Sequence, residues 1–231
     1  MGEELQKERG EENIEPVDGG SAENHRRKRS DAIFYTVIAV LFVALIGFRV
    51  WVNNALGRVE VSGSSMCQTL QDGDTLTMKL VKEGKGLERG DIIVVNVGKY
   101  GLKDSKGNSI DFLIKRLIAV EGDKVKCTDG QISICYAGTD EYVPLDEPYA
   151  YYGGVPGRDE TDYDFHEYTV GEGEIFFLGD NRLNSVDSRY QEWGGSHLNG
   201  ALYKATDVQG VVSQWAVDNK EFLDILFFWW K

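Results

Sequence analysis

The pattern of hydrophobic and polar positions changes once along the chain, near residue 52. Ala32 to Phe48 is a run of 17 residues without a charge, AIFYTVIAVLFVALIGF. Val50, Trp51 and Val52 extend this run past Arg49, whose long side chain can reach the membrane interface. A run of this length is near the minimum that crosses the hydrocarbon layer of a bilayer. The pattern predicts one transmembrane helix over residues 32–52.

From Val59 onward the apolar runs are short and are bounded by glycine and aspartate. The clearest runs are Asp91–Val97, Phe112–Ile114, Gln131–Ile134, Glu174–Leu178 and Gly210–Ser213. These are strand lengths, and no helical period separates them. Asp129-Gly130 is a tight-turn dipeptide. We therefore expect a mostly β, antiparallel domain over residues 53–231, with a loop-rich inserted subdomain over 124–173.

The first 31 residues carry nine acidic and six basic side chains and few large apolar ones. Because such a segment cannot bury a core, we expect residues 1–31 to be disordered. The segment contains the basic cluster Arg26–Arg29, which predicts a cytoplasmic N-terminus and an extracytoplasmic domain after Trp51. A secretory signal cleaved near Ala55-Leu56-Gly57 is the main alternative, but the long acidic segment argues against it. A buried core helix is a third possibility, and the basic flank argues against it.

Composition excludes some classes of function. The formal net charge of -13 argues against nucleic-acid binding, which leaves a basic footprint. Cys127 and Cys135 can pair in an oxidising compartment and leave Cys67 free, or all three thiols can remain unpaired. No metal-ligand spacing and no phosphate-binding glycine loop occur in the sequence, so we expect no cofactor.

Two residue types point to nucleophilic catalysis. Ser65 lies in Ser64-Ser65-Met66-Cys67-Gln68-Thr69-Leu70, and Lys115 lies in Lys115-Arg116-Leu117-Ile118-Ala119-Val120-Glu121-Gly122-Asp123. A serine needs a base before it attacks a carbonyl, and a desolvated lysine can be that base. The apolar neighbours of Lys115, namely Phe112, Leu113, Ile114, Leu117 and Ile118, are candidates to supply that environment.

Together with Arg89–Val94 and Gly179–Arg189, these two segments resemble the four motifs of type I signal peptidases, in the same order and behind one anchor. The resemblance implies a membrane-anchored serine protease that removes signal peptides from exported preproteins, after sites with small residues at the first and third positions before the cut. It makes the lipid bilayer and preproteins the expected partners, with the secretion machinery as a further one.

The resemblance also implies roles for individual residues. Ser65 is expected to be the nucleophile, with its backbone N–H holding the oxyanion, and Lys115 to be the general base. Ser185 is expected to hydrogen-bond to the lysine and orient it. The residues expected to form structural ion pairs around the site are Arg116, Asp180, Asp187 and Arg189.

Two positions depart from the family pattern. Gln68 stands where the family has proline, which we expect to loosen the turn after the nucleophile. Gly63 stands where one branch of the family has a hydroxyl that helps to hold the oxyanion, so a water or Ser64 is left as a substitute.

Three alternatives stay open at this point. A LexA-like, self-cleaving serine–lysine protease shares the chemistry, but the anchor and the lack of an N-terminal DNA-binding pattern argue against it. A membrane-tethered β-rich assembly or binding module that has lost activity is favoured only by Gln68. A nucleophilic Cys67 paired with a histidine is the third; His25, His166 and His197 have no motif around them.

Overall fold

A computed structural model of the chain describes residues 19–103, 106–153, 164–189 and 202–228. The chain divides into two compact units, Met1–Trp51 and Val52–Lys231. The loop-rich part of the predicted insert falls partly on residues 154–163, outside the described residues. The same is true of His197 and of the first 18 residues of the predicted tail.

One helix accounts for the described part of the first unit. Helix α1 spans Gly19–Ala55, and its segment Arg27–Ala55 is long and apolar enough to cross a membrane. The large apolar side chains between Ile33 and Trp51 are 46–67% exposed. Side chains of this kind need an apolar environment outside the protein, and lipid supplies one. Residues 19–31, which the sequence analysis assigned to the N-terminal tail, continue the helix in this structure.

The second unit is built on a seven-stranded antiparallel sheet. In chain order its strands are β1 (Leu56–Glu60), β2 (Thr75–Leu80), β3 (Ile92–Asn96), β4 (Phe112–Val120), β9 (Glu174–Leu178), β10 (Tyr203–Lys204) and β11 (Val208–Val212). Their order across the sheet is β1-β2-β11-β3-β4-β9-β10. Every neighbouring pair is antiparallel, so the predicted fold class is confirmed.

A second antiparallel sheet lies between β4 and β9 in the sequence. Its strands are β5 (Lys124–Thr128), β6 (Gln131–Cys135), β7 (Val143–Pro144) and β8 (Phe165–Thr169), in the order β7-β6-β5-β8. The Asp129-Gly130 turn joins β5 to β6, and both of its residues have positive φ. One cluster of buried side chains is shared by both sheets, from Ile118 and Phe176 to Val125 and Phe165. The insert therefore packs as part of the same compact unit.

Strand β4 separates two further clusters that matter for the site. Leu113 and Leu117 belong to a cluster with Ile93, Phe177 and Tyr203. A different cluster contains Met66, Leu70, Leu76, Val94 and Leu223. The first cluster lies on the same face of β4 as Lys115. The second cluster includes side chains that directly follow Ser65 in the sequence. Both candidate catalytic residues are thus attached to packed core.

Two short helices end the described chain. Helix α2 spans Gln214–Asp218 and is capped by the Ser213 hydroxyl, which accepts a hydrogen bond from the backbone N–H of Ala216. Helix α3 spans Lys220–Phe228 and packs on β2. A few glycines are needed by sterics; at Gly84, for example, φ is +67° and a Cβ would fall 2.5 Å from the backbone of Ala205.

Candidate active site

Ser65 lies in a turn between β1 and β2 whose flanking side chains are buried. The backbone N–H of Cys67 donates to Ser64 O at 3.1 Å, and that of Leu70 donates to Met66 O at 2.8 Å. Met66 and Leu70 are 1% and 0% exposed, so the turn is held to the core directly after the serine. Within the described residues, the backbone N–H of Ser65 forms no hydrogen bond. This N–H is therefore free to receive an oxyanion.

Lys115 lies in the middle of β4, opposite Ile93 of β3. Because side chains alternate along a strand, it shares a face with Leu113 and Leu117, which belong to the buried cluster. Its Nζ donates to Ser65 Oγ at 2.6 Å and to Ile114 O at 2.8 Å. The two residues that the sequence singled out, 50 positions apart, are thus in direct contact.

Burial decides the charge of Lys115. The residue is 2% exposed, and burial lowers its pKa to about 8. The negative charges of Asp187 and Asp180 oppose this lowering of the pKa, and the positive charge of Arg189 adds to it. A lysine with such a pKa has a substantial neutral fraction near neutral pH, as a general base requires. Of the apolar neighbours predicted from the sequence, Phe112 is instead 53% exposed.

Ser185 comes to the same place from the loop after β9. A Cβ built on Gly179 would lie 2.2 Å from Ser185 Oγ and 2.6 Å from the carbonyl oxygen of Ser65. Both oxygens therefore border Gly179, which puts Ser185 beside the nucleophile. Ser185 Oγ is buried and has no hydrogen-bond partner in the described part of the chain. The predicted Ser185–Lys115 hydrogen bond is not formed in this structure.

The four charged residues predicted to support the site form two buried ion pairs. Arg116 donates from Nε and Nη2 to Asp180 at 2.8 and 2.6 Å. Arg189 donates from Nε and Nη2 to Asp187 at 2.9 and 2.8 Å. Burial alone would raise the pKa of Asp187, but the charge and hydrogen bonds of Arg189 hold it below its usual range. Each of the two anions near Lys115 is thereby paired with an arginine.

The ion pairs also join the motifs to one another. Arg116 Nη1 donates to Gly90 O at 2.8 Å, which connects β4 to the second motif. In the same motif, Arg89 donates to both carboxylate oxygens of the buried Asp123 at 2.6 Å. Thr69, four residues after the nucleophile, donates to Asp180 Oδ2 at 2.6 Å. Removing one partner of such a buried pair typically costs about 3–5 kcal/mol.

Sequence reasoning missed the role of two asparagines. The backbone N–H of Asn181 donates to Ser65 O at 3.0 Å, and its side-chain amide donates to Ser64 O at 3.1 Å. Asn184 Nδ2 donates to Ser64 Oγ at 3.0 Å. Both residues lie inside the fourth motif, which was the available signal. The contacts themselves depend on how that loop meets the Ser65 turn.

A further buried network had no sequence signal. Arg182 is 0% exposed and donates from both terminal nitrogens to Glu147, a residue of the loop-rich insert. The ring of Tyr149 stacks on the Arg116 guanidinium, with 3.9 Å from Cζ to the ring centroid. Through these contacts the insert supports the fourth motif and the Arg116–Asp180 pair.

The rival nucleophile and bases receive little support. The candidate base Lys115 is hydrogen-bonded to Ser65. The rival nucleophile Cys67, two residues further along the chain, is half-buried. Burial raises the pKa of Cys127 to about 12, which leaves that thiol protonated. Cys127 lies opposite Ile132 and Cys135 lies opposite Lys124, so the register separates the two cysteines and all three thiols are free. His166 lies on β8 against the ring of Tyr168.

Comparison with known proteins shows the family to which the chain belongs. The family model described as signal peptidase, peptidase S26, matches residues 29–215, and the chain belongs to this family. It is 38% identical over 132 residues to signal peptidase I U of Bacillus subtilis (strain 168), which covers 56% of this chain and 63% of that protein. It is 30% identical over 173 residues to signal peptidase I S of the same strain, which covers 73% of this chain and 83% of that protein.

One solved structure is also similar. A crystal structure of a signal peptidase I from Enterococcus faecalis V583 is 28% identical, with a TM-score of 0.40, over 56% of this chain and 98% of that one. The matches to the Bacillus subtilis U and T enzymes span 63% and 61% of those proteins. The family match ends at residue 215, so helix α3 lies beyond it.

Proposed function

We propose that this protein is a signal peptidase I that cleaves N-terminal signal peptides from exported preproteins. The observation that carries the proposal is the 2.6 Å contact between Lys115 Nζ and Ser65 Oγ, made by a lysine that burial makes easy to deprotonate. Family membership supports the reaction class, and the two Bacillus subtilis relatives are named for it.

In the proposed reaction, neutral Lys115 removes the proton of Ser65 as Oγ attacks the carbonyl carbon of the scissile peptide bond. The backbone N–H of Ser65 donates to the oxyanion that develops. Lys115 then gives its proton to the departing amine, which leaves an acyl-enzyme on Ser65. The neutral lysine next takes a proton from a water, whose oxygen attacks the acyl carbon. The bond from that carbon to Ser65 Oγ breaks, Oγ takes the proton back from Lys115, and the signal peptide leaves with a free carboxyl group.

Ser185 acts on the lysine rather than on the substrate in this proposal. Its buried Oγ has no partner in the described residues, and an unpaired buried hydroxyl costs roughly 1–3 kcal/mol. A rotation of Lys115 away from Ser65 once the serine is acylated would let this hydroxyl accept from Nζ. Ser185 would then hold the lysine in place for the deacylating water.

The proposed substrates carry small residues at the first and third positions before the cut. The proposed location is a cell membrane, crossed once by α1, with the N-terminus cytoplasmic and the β domain outside. The basic cluster Arg26–Arg29 supports this orientation. Protease added to intact cells should then degrade the β domain and spare the N-terminal segment. A protected β domain would indicate the opposite topology and contradict the proposal.

The test of function is cleavage of a signal-peptide-bearing precursor by the solubilised full chain, beside Ser65→Ala. The proposal requires cleavage by the unaltered chain only. Ser65→Ala should keep its fold, because a single hydroxyl is lost. If neither protein cleaves any precursor, the proposed activity is contradicted and the alternative of a binding module of the same fold is favoured. If the chain instead fragments itself without added precursor, the self-cleaving alternative is favoured.

A further inference from the structure

A tight turn in the inserted subdomain contacts the fourth motif. The turn has the sequence Glu147-Pro148-Tyr149-Ala150, and the backbone N–H of Ala150 donates to Glu147 O at 3.0 Å. Proline suits the second position of such a turn, because its fixed φ matches the one that the turn requires. Pro148 is exposed, whereas the side chain of Glu147 is only 6% exposed. The turn therefore directs Glu147 into the domain.

Glu147 is the partner of a fully buried arginine. Both terminal nitrogens of Arg182 donate to the carboxylate of Glu147, and Arg182 Nε donates to Gly179 O at 3.1 Å. Burial alone would lower the pKa of Arg182, but the hydrogen bonds and the charge of Glu147 raise it, so the guanidinium stays charged. Because each of the three guanidinium nitrogens donates a hydrogen bond, the orientation of this side chain is fixed.

The backbone that follows the turn is bonded to the same motif. The N–H of Tyr151 donates to Asp180 O at 2.7 Å, and the N–H of Arg182 donates to Tyr151 O at 3.0 Å. These bonds form an isolated parallel bridge in which Tyr151 lies opposite Asn181. The insert therefore holds residues 180–182 by their backbone as well as by the Arg182 side chain.

The residue at the centre of these contacts, Asn181, in turn holds the nucleophile. Its backbone N–H donates to Ser65 O at 3.0 Å, and its side-chain amide donates to Ser64 O at 3.1 Å. Only one peptide bond separates Asn181 from Arg182. A displacement of Arg182 would therefore reach the turn of Ser65 through a single residue.

Net stability does not account for the Glu147–Arg182 pair. The free-energy cost of removing two charges from water offsets much of their attraction, so an apolar pair of similar volume is often as stabilising or more so. An ion pair with a planar guanidinium adds a fixed arrangement of its partners, because the paired hydrogen bonds require one particular geometry. The pair therefore points to a requirement for precise placement of the fourth motif.

We propose that Glu147 is a positioning residue for the nucleophile. It fixes Arg182, and with it the peptide of Asn181 that holds the Ser65 carbonyl. This keeps the free N–H of Ser65 in place for the oxyanion. Glu147 itself acts on neither the substrate nor Lys115. Its effect on turnover rests on the proposed function, whereas its effect on the backbone of Asn181 does not.

The kinetic test compares Glu147→Gln with the unaltered full chain in precursor cleavage. Glutamine keeps the shape of the side chain but removes its charge, so Arg182 is held less firmly. We expect kcat to fall roughly 10- to 100-fold, with KM and the midpoint of the pH–rate profile unchanged. Glu147→Asp keeps the charge and should recover part of the loss; it becomes the test variant if Glu147→Gln does not fold. An unchanged kcat, or a shifted midpoint, would overturn the proposal.

Asp207→Asn is the matched control, because it also removes a carboxylate charge from a polar network at the edge of the core. Asp207 is 9% exposed and accepts from Lys99 Nζ at 2.7 Å and from Tyr100 Oη at 2.6 Å, outside the four motifs. This variant should lower the melting temperature and retain kcat. An equal fall of kcat in both variants would show that lost stability alone is responsible, and would refute positioning.

Hydrogen exchange tests the placement of Asn181 independently of catalysis. In Glu147→Gln, the Asn181 amide that is bonded to Ser65 O should exchange several-fold faster than in the unaltered chain. The amide of Val81, bonded to Gln209 O at 3.0 Å, should exchange at the same rate in both proteins. Unchanged exchange at Asn181 would overturn the proposal even if the chain cleaves precursors. Faster exchange at Asn181 in a chain that cleaves no precursor would support the positioning role and refute only the proposed function.

Discussion

Gly179 and Ser185 are in such close contact that a Cβ on the glycine would lie 2.2 Å from the serine Oγ and 2.6 Å from the serine Cβ. The same Cβ would lie 2.6 Å from the carbonyl oxygen of Ser65. The side chain of Ser185 and the backbone of Ser65 cannot all move aside to make room for a Cβ at residue 179. The absence of a side chain at residue 179 is therefore a condition for the packing of Ser185 against the nucleophile turn.

We predict that Gly179→Ala reduces kcat by roughly 100-fold or more, because a displacement of about 1 Å at a reacting group has an effect of that size. Precursor cleavage kinetics would measure it. Gly210→Ala is the matched control, since its Cβ would lie 2.7 Å from Met78 and 2.9 Å from Lys79 O, within the sheet and away from the Ser65–Lys115 pair. That variant should lower the melting temperature and retain kcat. Unchanged turnover in Gly179→Ala would show that the Ser185 contact is dispensable.

Lys115→Arg should be as inactive as Lys115→Ala. Arginine retains the positive charge but does not lose its proton in a protein. In the unaltered chain, kcat should fall about tenfold for each pH unit below the Lys115 pKa of about 8 and level off above it. A pH–rate profile between pH 5 and 10 tests this. Partial activity in Lys115→Arg would mean that the lysine acts only as a cation or as structure.

The same lysine should cost stability. Its pKa is lowered from 10.5 in the unfolded chain to about 8 in the folded one, so the folded state binds the proton less tightly. This loss of stability is present in full below pH 8. It becomes smaller as the pH rises from 8 to 10.5, because in that range the folded protein holds the lysine neutral while the unfolded chain still binds the proton. At pH 7 we expect the free energy of unfolding of Lys115→Met to be about 1–3 kcal/mol higher than that of the unaltered chain. The gain should shrink toward pH 10.5. Urea unfolding at both pH values measures it, and a less stable Lys115→Met at pH 7 would contradict the desolvation of this side chain.

Sequence patterns predicted the parts of this protein that depend on local periodicity and on spaced motifs. The strands around Ile92, Phe112 and Glu174 were visible as apolar runs bounded by turn residues. The Ser65–Lys115 pairing came from the order of the motifs, not from local pattern. The composition of residues 19–31 is typical of a disordered segment and gives no signal for the helix that the structure places there.

Contacts between distant loops could not be predicted. The Glu147–Arg182 pair joins the insert to the fourth motif across 35 positions, and no spacing rule links a loop glutamate to a motif arginine. The exposure of Phe112 also depends on tertiary structure, because an apolar run in the sequence does not show which of its side chains the rest of the domain covers. The sequence also could not show that Ser185 Oγ has no hydrogen-bond partner among the described residues, because this depends on how the loop after β9 packs.

The free thiols give a simple chemical prediction. Because Cys127 and Cys135 are buried and three register positions apart, a reducing agent should leave the melting temperature unchanged. A thiol reagent should modify Cys67 alone in the folded chain and all three cysteines in denaturant. A loss of stability on reduction would show that a disulfide forms after all.

Asn181 should position the nucleophile rather than take part in the chemistry. Its backbone N–H donates to the carbonyl oxygen of Ser65, and its side-chain amide donates to that of Ser64. One residue therefore fixes the peptide groups on both sides of the Ser65 Cα. Asn181→Ala removes only the side-chain bond and leaves the Ser64 carbonyl with the backbone N–H of Cys67 as its remaining donor. We expect kcat to fall roughly tenfold, in line with a bond of about 1.4 kcal/mol, with KM and the pH midpoint near 8 unchanged. Asn184→Ala is the control, because it removes the bond to Ser64 Oγ at an exposed position and should have a smaller effect. A shifted pH midpoint in Asn181→Ala would mean that the residue acts through Lys115, and an unchanged kcat would mean that it does not position Ser65.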